Sequence, residues 1–170
     1  MGYHIFMARK CQLTTLKNNA YADMMNQWVA QEHVADQKLD AMETNSENLS
    51  AEYKNYSDTK DSIYEKYDVK TSGHTLDETD ASGDTYRAKR DAELDKAKSD
   101  YEEAVNNLKS KYSINIQELS DEESSIEKKI QILETHISEY TQEMAKAEQQ
   151  EATEIKTCIP NYNGAGGGQG

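Results

Sequence analysis

Pro160 is the only proline in the chain, so residues 1–159 contain nothing that forbids continuous helix. Glycine is nearly as confined. It occurs at Gly2, at Gly73 and Gly83, and then five times near the C-terminal end. Such a distribution predicts long helices joined by one glycine-marked turn. Composition alone points elsewhere. Leu, Ile, Val and Phe number 24 in 170 residues, and the formal charge is −13, values typical of disordered chains. Disordered chains, however, are usually rich in proline. A thin helical assembly reconciles the two, because it needs only a narrow apolar stripe and no thick core.

That stripe can be counted. Steps of four and three link Tyr21, Met25, Trp28, Glu32, Ala35, Leu39, Met42, Ser46, Leu49, Tyr53, Tyr56, Lys60, Ile63 and Tyr67, and eleven of these fourteen are apolar or aromatic. A stripe this narrow is a coiled-coil seam. It predicts a helix over 12–70, with Trp28 shielded between neighbours. A second seam runs through Leu94, Ala97, Tyr101, Ala104 and Leu108. A third runs through Leu119, Glu123, Ile126, Ile130, Leu133, Ile137, Tyr140, Met144 and Ala147. These last two differ in phase by about one residue. Ser120 and Glu123 also have the spacing of a capping box. The expectation is a kink or break near 112–119, dividing helices over 86–112 and 120–156.

Between the seams, residues 71–85 are rich in Gly, Ser, Asp and Thr and predict a turn, with Asp84 or Thr85 capping the next helix. A short turn between two long helices predicts an antiparallel hairpin. The fold class expected is therefore all-α: a long antiparallel helical hairpin, or coiled coil, over 12–157. Residues 1–11 are expected as a flexible tail and 158–170 as a glycine-rich one. Antiparallel packing would bring Glu148, Glu151 and Glu154 near Arg9, Lys10 and Lys17. A break that shifts the later register would also bring Cys11 level with Cys158. The alternative is an extended parallel assembly of several chains. Hairpins could further dimerise through Met24, Val29 and Val34.

The chemistry-bearing residues are scattered. Placing Gly83 at the sixth position of an EF-hand loop puts Lys89 where the bidentate Glu should stand. His4, His33, His74 and His136 are isolated, and two distant cysteines make neither a disulfide framework nor a zinc motif. No phosphate loop or nucleophile elbow occurs. No catalytic, cofactor-binding or metal-binding residue is assigned, and an enzyme is not expected. The excess of acids repels phosphate, so nucleic acid is not an expected partner. No run of apolar residues is long enough to span a membrane. The expected location is the cytoplasm, with leaderless export as the alternative.

The function expected is that of a non-enzymatic coiled-coil protein, acting as spacer, scaffold or partner-binding rod, with a protein partner or self-association. The richest apolar knot, Met24, Met25, Trp28 and Val29, is the candidate docking site. Two alternatives are a helical chaperone or export-associated protein, and a chain that folds only on its partner. In outline such a hairpin is similar to prefoldin-like chaperones and to stalk proteins of bacterial export machines. The linker lacks the strand pairs of a prefoldin subunit, and no residue is carried over from either.

Overall fold

The computed structural model describes residues 2–158. Three helices follow in order: α1 over Gly2–Lys66, α2 over Val69–Ser72 and α3 over Tyr86–Cys158. The two long helices pack against each other as an all-α antiparallel hairpin. Residues 2–11, expected as a tail, belong to α1. The expected tail at 158–170 lies outside the described residues, apart from the helical Cys158.

The connection is built from local hydrogen bonds. α1 stops at Lys66, short of the expected residue 70, because Asp68 turns into extended backbone and caps α2, accepting from Lys70 N at 2.7 Å. Asp competes in this way with helical hydrogen bonding. Gly73 closes α2 in the left-handed conformation (φ 72°), which a side chain would resist. Thr79 and Thr85 then form an isolated antiparallel bridge around a turn in which Gly83 has φ 90°. The first four N–H groups of α3 have no partner within the helix, and all four are satisfied. Tyr86 N donates to Glu78 O, Arg87 N to Leu76 O, Lys89 N to Thr85 O, and Ala88 N to the Thr85 hydroxyl at 3.2 Å. Of the two candidate caps, Thr85 serves.

The described chain divides into two compact units. Among the described residues, one comprises 2–33 with 123–158, the other 34–122. In the first, Ala20, Met24 and Ile137 form a core cluster, with Ile130, Leu133 and Tyr140 packed on it. Leu13, Ile126 and Ala147 are also buried there. Arg9 pairs with Glu143 at 3.3 Å and Lys10 with Glu148 at 2.8 Å. In the second unit Val34, Ile63 and Tyr67 are buried. Tyr56 stacks on Tyr101, with ring centroids 4.9 Å apart, and Tyr53 meets the same ring edge-on.

Two expectations about phase are corrected. The break at 112–119 does not occur: α3 is helical throughout. Its inward positions there are Leu108, Tyr112, Ile116 and Leu119, so steps of four, four and three absorb the phase slip as a stutter. Ser120 does not cap a new helix. Its hydroxyl donates to Ile116 O at 2.8 Å, inside the helix.

The second correction concerns α1. The residues turned inward are Ala20, Met24, Gln27 and Gln31 in the first unit, and Val34, Lys38, Ala41 and Asn45 in the second. Each is one position before the expected stripe, a rotation of about 100°. Extended toward the N-terminus, the observed face continues through Lys17, Leu13, Lys10 and Phe6, of which Leu13 is buried and the others half-buried. The expected one continues through Asn18, Thr14, Cys11 and Met7, all exposed. Expected and observed faces meet again at Leu49, Tyr56, Ile63 and Tyr67, after α1 steps four and four through Ala41, Asn45 and Leu49.

Met24 and Met25 therefore separate two readings of the sequence. Met24 is 7% exposed and Met25 55% exposed. Met24→Ala is expected to cost about 2–4 kcal/mol of stability, and Met25→Ala less than about 0.5 kcal/mol. Urea unfolding followed by circular dichroism measures both. The opposite order would show that α1 presents the Tyr21–Met25–Trp28 stripe to α3.

Candidate functional site

The four residues of the expected docking knot part company. Met24 enters the core, whereas Met25, Trp28 and Val29 stand outward at 55%, 44% and 63% exposure. Trp28 is thus not shielded in the seam as expected, and Met24 and Val34 are unavailable for dimerisation. Tyr21, 43% exposed, joins the outer group and was missing from the expected site. Its signal was its position four residues before Met25, one helical turn away. The Lys17 ammonium lies 5.9 Å from the centre of the Tyr21 ring. Glu32, four residues after Trp28, is exposed. The result is an apolar face with a base at its N-terminal end and an acid at its C-terminal end, all within the first unit. Exposed apolar residues grouped in this way mark interaction surfaces more often than chance.

The connection carries the densest polar chemistry. Asp80 Oδ1 accepts from Ser82 N at 2.9 Å, from the Ser82 hydroxyl at 2.6 Å and from Asp84 N at 3.2 Å. Asp80 Oδ2 pairs with Lys89. Lys89, the residue at the twelfth position of the EF-hand register, thus neutralises the acid that would have to bind calcium. His74 stacks on Tyr86, with ring centroids 4.6 Å apart and planes 9° apart, and its Nδ1 lies 2.8 Å from Glu78 Oε2. Arg87 holds Asp77 at 2.8 Å. Among the described residues, no three His, Cys, Asp or Glu side chains gather as metal ligands.

Cys11 is exposed. The ion pairs of Arg9 and Lys10 set it level with the stretch between Glu143 and Glu148. Cys158 lies ten residues past Glu148 on α3, roughly 15 Å along the helix. The register shift that would have brought positions 11 and 158 level is absent because α3 does not break.

In the second unit, the stutters of both helices open a groove of about 440 Å³ lined by Gln37, Asp40, Asn45, Lys111, Tyr112 and Asn115, among others. Its lining mixes these polar groups with Ala41, Leu108 and Leu119, and it is open to water, so it lacks the enclosure that shifts a pKa. Among the described residues, no helix is long and apolar enough to cross a membrane. No protein-family profile matches the chain, and no curated protein or solved structure is significantly similar to it.

One ionic cluster ties the ends of the long helices to each other at the connection. Glu93 Oε1 accepts from Lys66 Nζ at 2.6 Å and from the Tyr67 hydroxyl at 2.9 Å. Those two bonds, with the Lys66 charge, hold the Glu93 carboxyl below its ordinary value of 4.5. Bonding to Glu93 raises Lys66 above 10.5. Burial, then the Glu93 bond, raises Tyr67 above 10.0. A depressed carboxylate stabilises the fold above its unfolded pKa and loses that contribution as pH falls through the folded value. Raised groups stabilise below their unfolded pKa and lose the contribution at higher pH. The cluster is thus intact from about pH 5 to pH 10. The Glu93 and Lys66 side chains are 39% and 58% exposed, so solvent screening limits the effect. Glu93→Gln is expected to lower stability at pH 7 by about 0.5–1 kcal/mol and to flatten the decline below pH 4.5. Unfolding free energies between pH 3 and 8 test this. An unchanged acid limb would remove Glu93 from the account.

Proposed function

We propose that the chain is a non-enzymatic coiled-coil protein that works by binding protein, as a scaffold or spacer that presents a docking face. The single observation that supports this most is the placement of Tyr21, Met25, Trp28 and Val29 on the outside of α1, while Gln27 and Gln31 occupy inward positions. A helix selected only for hairpin stability would turn its largest apolar residues inward. Here they face solvent, where Trp and Met contribute to recognition through large contact area and adaptable shape. The excess of 32 acids over 19 bases disfavours nucleic acid as the partner. A cytoplasmic setting belongs to the same reading.

Site-specific photocrosslinking in living cells tests it. A photoreactive phenylalanine analogue in place of Trp28 is expected to give discrete higher-mass adducts, containing either a second copy or another protein. The same analogue in place of the exposed Lys54 should give none. No adduct at position 28, or equal labelling at both positions, would overturn the docking reading.

A further inference from the structure

The outer face of α1 is self-complementary under a two-fold rotation. Measured from Met25, Tyr21 lies four residues before, and Trp28 and Val29 lie three and four after. Lys17 lies eight before and Glu32 seven after. Tyr21, Met25, Trp28, Val29 and Glu32 are exposed at helical spacing along one side of α1, and Lys17, half-buried between Leu13 and Ala20, stands at its border, from which its long side chain can reach outward. Lys17 and Glu32 make no ion pair with other described residues; Lys17 meets only the Tyr21 ring at 5.9 Å. We infer that a second copy of this chain docks here, α1 against α1 in antiparallel orientation, with the two-fold axis passing by Met25. The inference rests on the reading of this face as a docking surface and names its occupant.

Each end of the patch then meets its complement. Tyr21 packs on the Trp28 of the other copy, Met25 on Met25, and Lys17 reaches Glu32, each contact made twice as an isologous interface requires. A mismatch of one residue in spacing is about 1.5 Å, within the reach of a lysine side chain. A parallel arrangement would instead set Lys17 beside Lys17 and Glu32 beside Glu32, two like-charge contacts. Local charge permits the approach although the whole chain carries −13. Residues 1–33 hold three bases, Arg9, Lys10 and Lys17, against two acids, Asp23 and Glu32. Four half-exposed anchors make a small interface, in the class below about 1,200 Å² of total area, so the dimer is expected to dissociate in the micromolar range.

Charge exchange tests the arrangement on the full chain. Sedimentation equilibrium between about 1 and 500 μM should show a monomer–dimer equilibrium. Lys17→Glu alone and Glu32→Lys alone should each weaken it at least about tenfold, because each creates two like-charge contacts. The double variant Lys17→Glu/Glu32→Lys should recover it. An equimolar mixture of the two single variants should form a heterodimer by native mass spectrometry, since both ion pairs are complementary only across unlike copies. Trp28→Ser should abolish the dimer while circular dichroism keeps the helix signal. A chain monomeric throughout this range overturns the inference, as does a double variant no tighter than the singles. Because another protein crosslinking at position 28 would leave the docking reading standing, a monomeric chain with such an adduct fails only the choice of occupant. A monomeric chain with no adduct fails both.

Discussion

Contact between two thin helical faces is the constraint on which everything else in this hairpin depends. Each long helix has few apolar residues to offer, and the two faces must stay opposed over many turns. An ideal helix drifts against a strict heptad, so the apolar positions must follow or the helices must supercoil. Here α3 makes a double step of four at Leu108, Tyr112 and Ile116, and α1 does the same at Ala41, Asn45 and Leu49. Residues from both stutters line one groove in the second unit. The two helices therefore change phase at the same level within the second unit, where the packing is looser and open to water. A break would have left several backbone groups of α3 without helical partners. The stutter costs only close packing.

The connection solves a different problem. A long antiparallel hairpin has one covalent link that fixes its register, and a slack link would let the helices slide. The link here is stiffened by hydrogen bonds from short polar side chains. Asp68 stops one helix, Thr85 starts the next, and Asp80 gathers the intervening turn around its carboxylate with Lys89 as counter-charge. Glu93 then binds Lys66 and Tyr67 across the hairpin, where the helices first meet. Because a one-residue slip would move every inward side chain by about 100°, such anchoring transmits a definite phase to both faces.

How much of this is legible in the sequence depends on how local the signal is. The long helices follow from the confinement of proline and glycine, and the turn from the Gly73–Gly83 region, because both are properties of the backbone at those residues. Ion pairing of Lys10 with Glu148 follows from antiparallel order alone. The inward face of α1 does not follow. Two stripes one residue apart compete over 20–45, and counting apolar residues favours the wrong one, since Tyr21, Met25 and Trp28 outweigh Ala20, Met24 and Gln27. The choice is made at the N-terminal end, where Leu13 is buried on the observed stripe and the competing stripe offers exposed Thr14, whereas Ile63 and Tyr67 belong to both stripes. The break near 112–119 failed for a related reason. A phase slip and a capping pair are both compatible with a break, but with no Gly or Pro between residues 86 and 158 the backbone has no cause to leave the helix.

On the proposed docking reading, the same competition separates two demands on α1. Stability of the hairpin requires only that the inward stripe be apolar enough, and Gln27 and Gln31 at inward positions lower it without leaving any described buried polar atom unsatisfied. Small Ala20 lets the backbone approach while Met24 fills the gap against Ile137. The larger residues are thereby released to the outer face, one position along. Interchanging the two stripes would strengthen the hairpin and erase the outer patch. A chain whose role ended with the folded hairpin would gain from that exchange, whereas one that must also recognise a protein would lose its contact surface. The arrangement of Met24 inward and Met25 outward, adjacent in sequence and opposite in burial, is where these two demands are met in a single helix.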